Sequence, residues 1–234
     1  MLRFSAPLQR AQLKKRYKRF FVDASLDNGE IVTAHCPNTG SMESCYEPDA
    51  TIWLSPSLNP TRKLKWTWEL AETNAGFIGV NTSLPNLVVE DAIQQSRIPE
   101  LHQYDSIRRE VKYGANSRID LLLEGNNGSK CYVEVKNTTL IRGDVILFPD
   151  AVTERGRKHL TELANMVEEG HRAIMLFFVN RSEGRFFKVA DAIDAKYGQE
   201  LRRVAKVGVE LLAYRAHHSL EGISLGEPVA IDLT

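Results

Sequence analysis

The residues of this chain best suited to chemistry are an aspartate and a Glu-x-Lys triplet further on: Asp120, Glu134 and Lys136. Asp120 closes Arg118-Ile119-Asp120 and leads into Leu121-Leu122-Leu123. After Gly125-Asn126-Asn127-Gly128 comes Cys131-Tyr132-Val133-Glu134-Val135-Lys136. Two β-rich runs around a Gly/Asn segment predict a hairpin. A register centred on Asn127 sets Asp120 opposite Glu134, and a slip of two residues sets it opposite Lys136. In either register, strand alternation gathers Asp120, Glu134 and Lys136 on one face and turns Cys131, Val133 and Val135 to an apolar one. Carboxylates facing each other across strands, roughly 5 Å apart at Cβ, repel and weaken the sheet. A cation between them removes that cost. Two carboxylates and water suit Mg2+ or Mn2+, so Asp120 and Glu134 are expected as metal ligands. Lys136, one pleat on, is expected to hold a metal-bound water or to offset charge building on a phosphate.

An Asp followed on the next strand by Glu-x-Lys resembles the PD-(D/E)xK nuclease superfamily, with Ile119-Asp120 where the pattern has Pro-Asp. Taken alone, a Glu-x-Lys triplet is a weak signal that charged strands produce by chance. The hairpin context strengthens it, because three ionisable residues on one face beside a Leu-Leu-Leu run need a reason.

The elements that must position these residues fit within 234 residues, enough for one large domain or two smaller ones with real cores. Thirty basic and thirty acidic residues give zero formal charge, so no global field draws polyanions and any nucleic-acid affinity must be local. Cys36, Cys45 and Cys131 form no C-x-x-C pair, which argues against a zinc ribbon and a disulfide framework. The segment from Leu2 to Phe20 is polar and basic, unlike a signal peptide. The longest apolar run, Ala173 to Val179, is too short to span a bilayer. The expectation is a soluble, cytoplasmic protein.

From Leu2 to about Ser83 the chain reads as β-rich. Asp27-Asn28-Gly29 is a hairpin signal between Phe20–Ala24 and Glu30–Ala34, and further strands are expected at Ala50–Leu54, Leu64–Leu70 and Gly76–Asn81. Short strands with turn-rich connections suggest a small barrel or sandwich. The sharpest basic cluster lies here, Lys14-Lys15-Arg16-Tyr17-Lys18-Arg19, running into Phe20-Phe21. Basic residues interleaved with aromatics suit a groove that tracks a nucleic-acid backbone; a solvated edge strand kept from aggregating by its lysines is the competing reading. In Arg62-Lys63-Leu64-Lys65-Trp66-Thr67-Trp68, alternation sends Leu64, Trp66, Trp68 and Leu70 to one face, as core. Ala34 to Met42 reads as a turn-rich loop in which Asn38, Thr39 and Ser41 offer donors to a phosphate.

Pro7-Leu8-Gln9-Arg10-Ala11, Arg16-Tyr17-Lys18-Arg19-Phe20, His35-Cys36-Pro37-Asn38-Thr39-Gly40, Val111-Lys112-Tyr113-Gly114, Ser117-Arg118-Ile119-Asp120, Glu134-Val135-Lys136 and Phe148-Pro149-Asp150-Ala151-Val152-Thr153-Glu154-Arg155-Gly156 run through nearly the whole chain. In these stretches the chain resembles the bacterial sugar fermentation stimulation protein A family. The resemblance implies an OB-like β-barrel domain over residues 1–83 and a mixed-sheet α/β domain of PD-(D/E)xK nuclease-like type over 84–234. It also implies non-specific DNA binding and a regulatory link to sugar metabolism, notably that of maltose. It implies no settled enzymatic activity.

Asn86 is expected to cap a helix from Leu87 to about Gln95. Nucleases of the superfamily often add a Glu from the helix before the sheet. Glu90 is the candidate third metal ligand, and Glu110 competes for that role. A helix from Ala151 or Thr153 to Glu169 is expected, with Val152, Leu160, Leu163 and Val167 as its apolar stripe and Gly170 as its stop. Arg155, Lys158 and His159 share one face of its first turns, and Arg155 and Lys158 are placed on a phosphodiester. Ala173–Val179 reads as a buried central strand, entered by a crossover from the preceding strand. A helix from Ala192 to Lys206 and a strand from Val209 to Tyr214 follow. Three functions fit these residues. One is a Mg2+- or Mn2+-dependent nuclease using Asp120, Glu134 and Lys136, with DNA held by Lys14, Lys15, Arg16, Lys18, Arg19, Arg155 and Lys158. Another is a non-catalytic DNA-binding regulator of sugar metabolism on the same scaffold. The third is a binding module for a small anion at the Asn38 loop. The intact triad argues against the second, and the basic clusters against the third.

Overall fold

The computed structural model describes residues 1–114 and 117–234. Alternating strands early in the chain close on themselves. β2 (Gln9–Tyr17), β3 (Phe21–Leu26), β4 (Ile31–His35), β5 (Thr51–Pro56) and β6 (Trp66–Thr73) hydrogen-bond in the order β4-β3-β2-β5-β6. A parallel contact of Ala34 with Trp66 and His35 with Thr67 closes the five into a barrel. β7 (Gly76–Gly79) extends β6. The barrel interior is filled by Val22, Ala24, Ile52, Leu54 and Trp68. Trp68 and Leu70 are buried as expected, but Trp66 is only half-buried and its strand begins there rather than at Leu64. A bulge between Trp53 and Leu54 is the reason the alternation fails to run through: Trp53 pairs with Leu70 and Leu54 with Trp68, so Glu69 is also drawn inside.

The rest of the chain builds a seven-stranded sheet in the order β1-β16-β15-β13-β10-β9-β8. Its members are β1 (Leu2–Arg3), β8 (Ser106–Tyr113), β9 (Ser117–Glu124), β10 (Lys130–Thr138), β13 (Arg172–Val179), β15 (Glu210–His218) and β16 (Gly222–Pro228). The apolar run at Ala173 is the central strand, parallel to β10 on one side and β15 on the other. α1 (Pro85–Gln94) covers one face through Val88, Val89 and Ala92, packed with Leu121, Val133 and Ile174. α2 (Glu154–Glu168) and α3 (Asp191–Lys206) cover the other. A second, four-stranded sheet of β11 (Leu140–Arg142), β12 (Val145–Phe148), β14 (Phe186–Val189) and β17 (Ala230–Asp232) lies on that side too. After β7, which ends at Gly79, the chain turns into α1, which starts at Pro85. Leu2 and Arg3, however, pair with Ile223 and Gly222, so the first residues belong to the large sheet.

Two helix starts differ from expectation. Asn86 does not cap α1; Pro85 takes the first helical position, where its missing N–H costs nothing, and Leu84 precedes it. Asn86 is thereby free to bond elsewhere. Thr153 does cap α2, its hydroxyl accepting from Gly156 N at 3.0 Å. Val152, placed on the apolar stripe of that helix by periodicity, precedes the cap and is exposed; His159 and Glu162 occupy the buried side instead. No helix among the described residues is long and apolar enough to cross a membrane.

Candidate functional site

The hairpin register is the one centred on Asn127: Lys130 pairs with Glu124 and Val133 with Leu121. The ladder stops one residue short of Asp120 and Glu134. On the other side, Arg109 pairs with Leu121 and Val111 with Ile119, leaving Glu110 and Asp120 unpaired between them. Glu110 has φ +55°, a left-handed conformation that interrupts the strand. Alternation breaks here as well, since Ile119 and Leu122 both face the α2 layer. The sheet thus opens around Asp120, which takes up the freed groups itself. Its Oδ2 accepts from Val135 N at 2.8 Å and its Oδ1 from Asn86 Nδ2, at the start of α1, at 2.9 Å.

Glu134 is buried on the α2 side of β10. Its Oε1 accepts from Lys136 Nζ at 2.6 Å and meets His159 Nδ1 on α2. Arg155 Nε donates to His159 Nε2 at 3.3 Å. An accepting Nε2 puts the imidazole proton on Nδ1, so His159 donates to Glu134. Glu134 Oε2 has no hydrogen-bond partner among the described residues. Burial raises the Glu134 pKa, but the hydrogen bond from His159 and the Lys136 charge outweigh it and hold the group below its ordinary value. Asp120 is shifted the other way, to about 6, first by burial and then by the Glu134 charge. Tyr113, on β8, is raised by burial and by Glu134, Glu162 and Asp120, and its hydroxyl has no partner among the described residues.

Asp120, Glu134 and Lys136 are therefore together, with His159, Asn86 and Tyr113 added to them. Of the added residues, His159 had a visible signal: a polar residue beside Leu160 on a helix whose other face is charged. Glu90 is not among them. Its carboxylate lies 3.3 Å from Arg109 Nε, on α1 one turn beyond Asn86, and Glu110 is exposed. Among the described residues no group of three or more His, Cys, Asp or Glu is arranged as a metal cage. Arg155 and Lys158 are exposed at the start of α2, Lys158 within 3.7 Å of Glu162.

The barrel's basic cluster divides. Lys14 bonds Asp49 at 3.1 Å, and Arg16 donates to the carbonyls of Asn38 at 2.9 Å and Gly40 at 3.1 Å. Arg16 is a loop anchor because its guanidinium reaches the turn that its strand passes. Lys15, Lys18 and Arg19 are exposed with no ion pair among the described residues; Lys18 and Arg19 form the β2–β3 turn with φ +48° and +63°. The Asn38 loop is held against the α/β unit, where Ser41 N and Oγ donate to Asp150 at 3.0 and 3.1 Å. A Cβ on Gly40 would stand 2.6 Å from that carboxylate, so only glycine permits the approach. The loop's donors are directed to Asp150, four residues ahead of α2.

A closed OB barrel joined to a mixed α/β unit, with Asp and Glu-x-Lys at an opened strand junction, defines an OB-plus-nuclease-like class of protein. The family model for the sugar fermentation stimulation protein RE domain matches residues 83–222, and that for the SfsA N-terminal OB domain matches residues 15–80. A sugar fermentation stimulation protein homolog of Geotalea uraniireducens is 55% identical over 94% of each chain. One from Paramagnetospirillum magneticum is 51% identical over 100% of this chain and 99% of its own. The solved structure of Pyrococcus furiosus SfsA in complex with Ca2+ superposes with a TM-score of 0.89 at 26% identity, covering 99% of this chain and 98% of that one. The chain belongs to the sugar fermentation stimulation protein family.

Proposed function

We propose that the protein binds DNA without sequence preference and carries a phosphodiester-cleaving site dependent on Mg2+ or Mn2+. The observation that supports this most is Glu134, a buried carboxylate biased towards ionisation with one oxygen unpartnered beside a second carboxylate. A buried carboxylate oxygen left without a partner is costly, and a cation at Oε2 answers that cost. Asp120 and Glu134 would hold the metal, which when bound supplies a Lewis acid and a lowered pKa for its water. His159 and Lys136 both engage Oε1 and so fix which oxygen of Glu134 is left. Asn86 and Val135 N orient Asp120 in the same way. Lys136 would offset the growing charge on a phosphate, and Arg155 and Lys158, exposed at the start of α2, would hold the phosphodiester. Lys15, Lys18 and Arg19 supply backbone affinity from the barrel. That a relative was solved in complex with Ca2+ also supports a site for a hard, oxygen-seeking cation.

A second reading, a DNA-binding regulator of sugar metabolism without turnover, is favoured by the 2.6 Å Lys136–Glu134 contact, which pairs the lysine internally. Purified protein incubated with plasmid, single strands and RNA, in Mg2+, Mn2+ or EDTA, separates the two. Cleavage present with metal, absent in EDTA and absent in Asp120→Ala is the expected result; binding with no cleavage under any condition leaves the regulator.

A further inference from the structure

The outer wall of the barrel carries a row of rings that its core does not use. Tyr17 at the end of β2 pairs with Phe21 at the start of β3, and Phe21 pairs with His35 at the end of β4. Register partners share a face, so the three rings stand side by side across three strands, in a row about 10 Å long. Tyr17 and Phe21 are stacked, with centroids 5.5 Å apart and planes 17° apart. Their chain neighbours Val22 and Ala34 fill the barrel, whereas the three rings are half-buried on its outside. Tyr17 and Phe21 join no hydrophobic cluster among the described residues. The Tyr17 hydroxyl is fixed by Asp23 Oδ1 at 3.2 Å, an oxygen that also accepts from Thr33 Oγ1 at 2.7 Å. Cations border the row. Lys15 Nζ lies 6.0 Å from the Tyr17 centroid, and Lys18 and Arg19 sit in the turn that joins Tyr17 to Phe21. At the other end Arg62 is tethered at 2.8 Å to Thr67 Oγ1, and Thr67 pairs with His35. Positive φ at two non-glycine residues, Lys18 and Arg19, strains that turn, as binding sites often do. Burial and the Arg62 charge hold His35 below its ordinary pKa, so its ring is neutral at neutral pH.

We infer that this row is a stacking platform for unpaired bases of a single DNA strand. The inference rests on the reading that the protein binds DNA, and it names the form of DNA that the barrel takes. A fitting ligand must offer flat π faces to the rings and anionic groups to the cations at their border, in one chain. A single strand does both, with a preference for no particular base, because every base has a π face. In a duplex the base faces are stacked on one another, so a duplex meets the barrel through Lys15, Lys18 and Arg19 alone. An acidic peptide would use the cations and leave the rings bare. An apolar partner would cover the rings and bury the cations unpaired. His35 and Arg62 also line a crevice of about 570 Å³ beside the start of α1, which gives the strand a path onward from the row. The site is independent of Asp120 and of metal.

The test is fluorescence anisotropy of the full chain in EDTA with three labelled ligands of equal length: a dT oligomer, an abasic oligomer and a duplex. The abasic strand keeps the phosphates and lacks the faces. Wild type is expected to bind dT tighter than the abasic strand by about tenfold or more, the worth of stacking one or two bases. Phe21→Leu and Tyr17→Leu should each weaken dT about tenfold and leave the abasic strand and the duplex within a small factor, a pattern that a merely structural ring would not give. Tyr17→Phe should bind dT as wild type does. Lys15→Gln should weaken all three ligands. A 2-aminopurine placed in the dT strand should be quenched on binding to wild type, which tests stacking without any variant. Asp120→Ala should match wild type throughout, which keeps the result separate from any nuclease activity. Equal affinity for dT and the abasic strand, no quenching, or ring variants that weaken duplex and single strand alike overturns the inference while DNA binding stands. Failure to bind any of the three ligands overturns the inference and the DNA-binding reading together.

Discussion

Two buried glutamates, one in each half of the molecule, have opposite acid–base character. Glu69 in the barrel is 6% exposed and Glu134 in the large sheet 2%, so both suffer the desolvation that favours the neutral acid. Glu69 is surrounded by neutral donors, Ser55 and Asn81, and its pKa is raised. Glu134 has Lys136 and the His159 N–H, and its pKa is lowered. Burial is common to both; the kind of partner, neutral donors at Glu69 and Lys136 with His159 at Glu134, decides the sign. The barrel glutamate has both oxygens hydrogen-bonded by the protein. The sheet glutamate concentrates its partners on one oxygen and leaves the other to act.

Lys136→Met is the substitution that should disturb this contrast most. It strips the cation from a buried carboxylate, a change that typically costs about 3–5 kcal/mol, or a fall in melting temperature of about 2–4 °C per kcal/mol at this size. Cleavage should disappear while DNA affinity stays within a small factor. Adding Glu134→Gln to it should recover much of the lost stability, since the uncompensated charge goes. A single variant as stable as wild type would show that Glu134 is not held ionised by Lys136.

The pH dependence sharpens the contrast next. Asp120 titrates near 6 in the folded protein and near 3.9 unfolded. Between these values the folded state binds more protons, so the Asp120 contribution to stability falls as pH rises from about 4 to 6. Mn2+ should oppose that fall at pH 7 as a ligand of the native state. Asp120→Asn should remove the slope, though not for free. Asp120 accepts from both Asn86 and Val135 N, and the asparagine amide must turn its NH2 towards one of these donors, losing about 1 kcal/mol. The measurement is a set of melting curves from pH 4.5 to 7.5 in chelator and in Mn2+. A wild-type minus Asp120→Asn difference that is flat with pH in chelator contradicts the shift, and indifference of wild type to saturating Mn2+ sinks the metal reading. Glu69→Gln, the matched change in the barrel, should move stability by only about 1 kcal/mol because its partners are neutral.

These contrasts were unevenly legible in the sequence. The hairpin centre at Asn127 was readable, because Gly and Asn mark a turn and the apolar runs on each side are long. The opening of the sheet at Asp120 was not, since it depends on Glu110 adopting a left-handed backbone and on Asn86 arriving from another element. The central strand at Ala173 announced itself by unbroken hydrophobicity. The four-stranded sheet did not, its strands of three or four residues being too short to carry a period. Glu69 was hidden by a bulge, which shifts alternation without leaving a mark in residue type. The basic cluster was visible as composition, while its division into paired and free charges required the Asn38 loop and Asp49 to be placed in space.

The smallest effect expected concerns that division. Within the barrel cluster Lys15, Lys18 and Arg19 are the residues left available for phosphates, so they should govern that cluster's share of the salt dependence of DNA binding. Each duplex phosphate neutralised contributes about 0.9 to the slope of log K against log salt. Lys15→Gln with Lys18→Asn and Arg19→Asn should therefore flatten the slope by about two to three units. Asparagine is chosen at 18 and 19 because it tolerates the positive φ of that turn, so lost affinity is not confused with strain. Lys14→Gln should leave the slope unaltered, since Lys14 already faces Asp49. Arg16→Ala should also leave it unaltered, and should instead loosen the Asn38–Gly40 turn and lower the melting temperature by a few degrees, for about 1 kcal/mol lost. Salt titrations of a labelled duplex on the three proteins decide the matter. A slope that falls with Lys14→Gln or Arg16→Ala, and stays with the triple variant, would return the binding role to the paired residues.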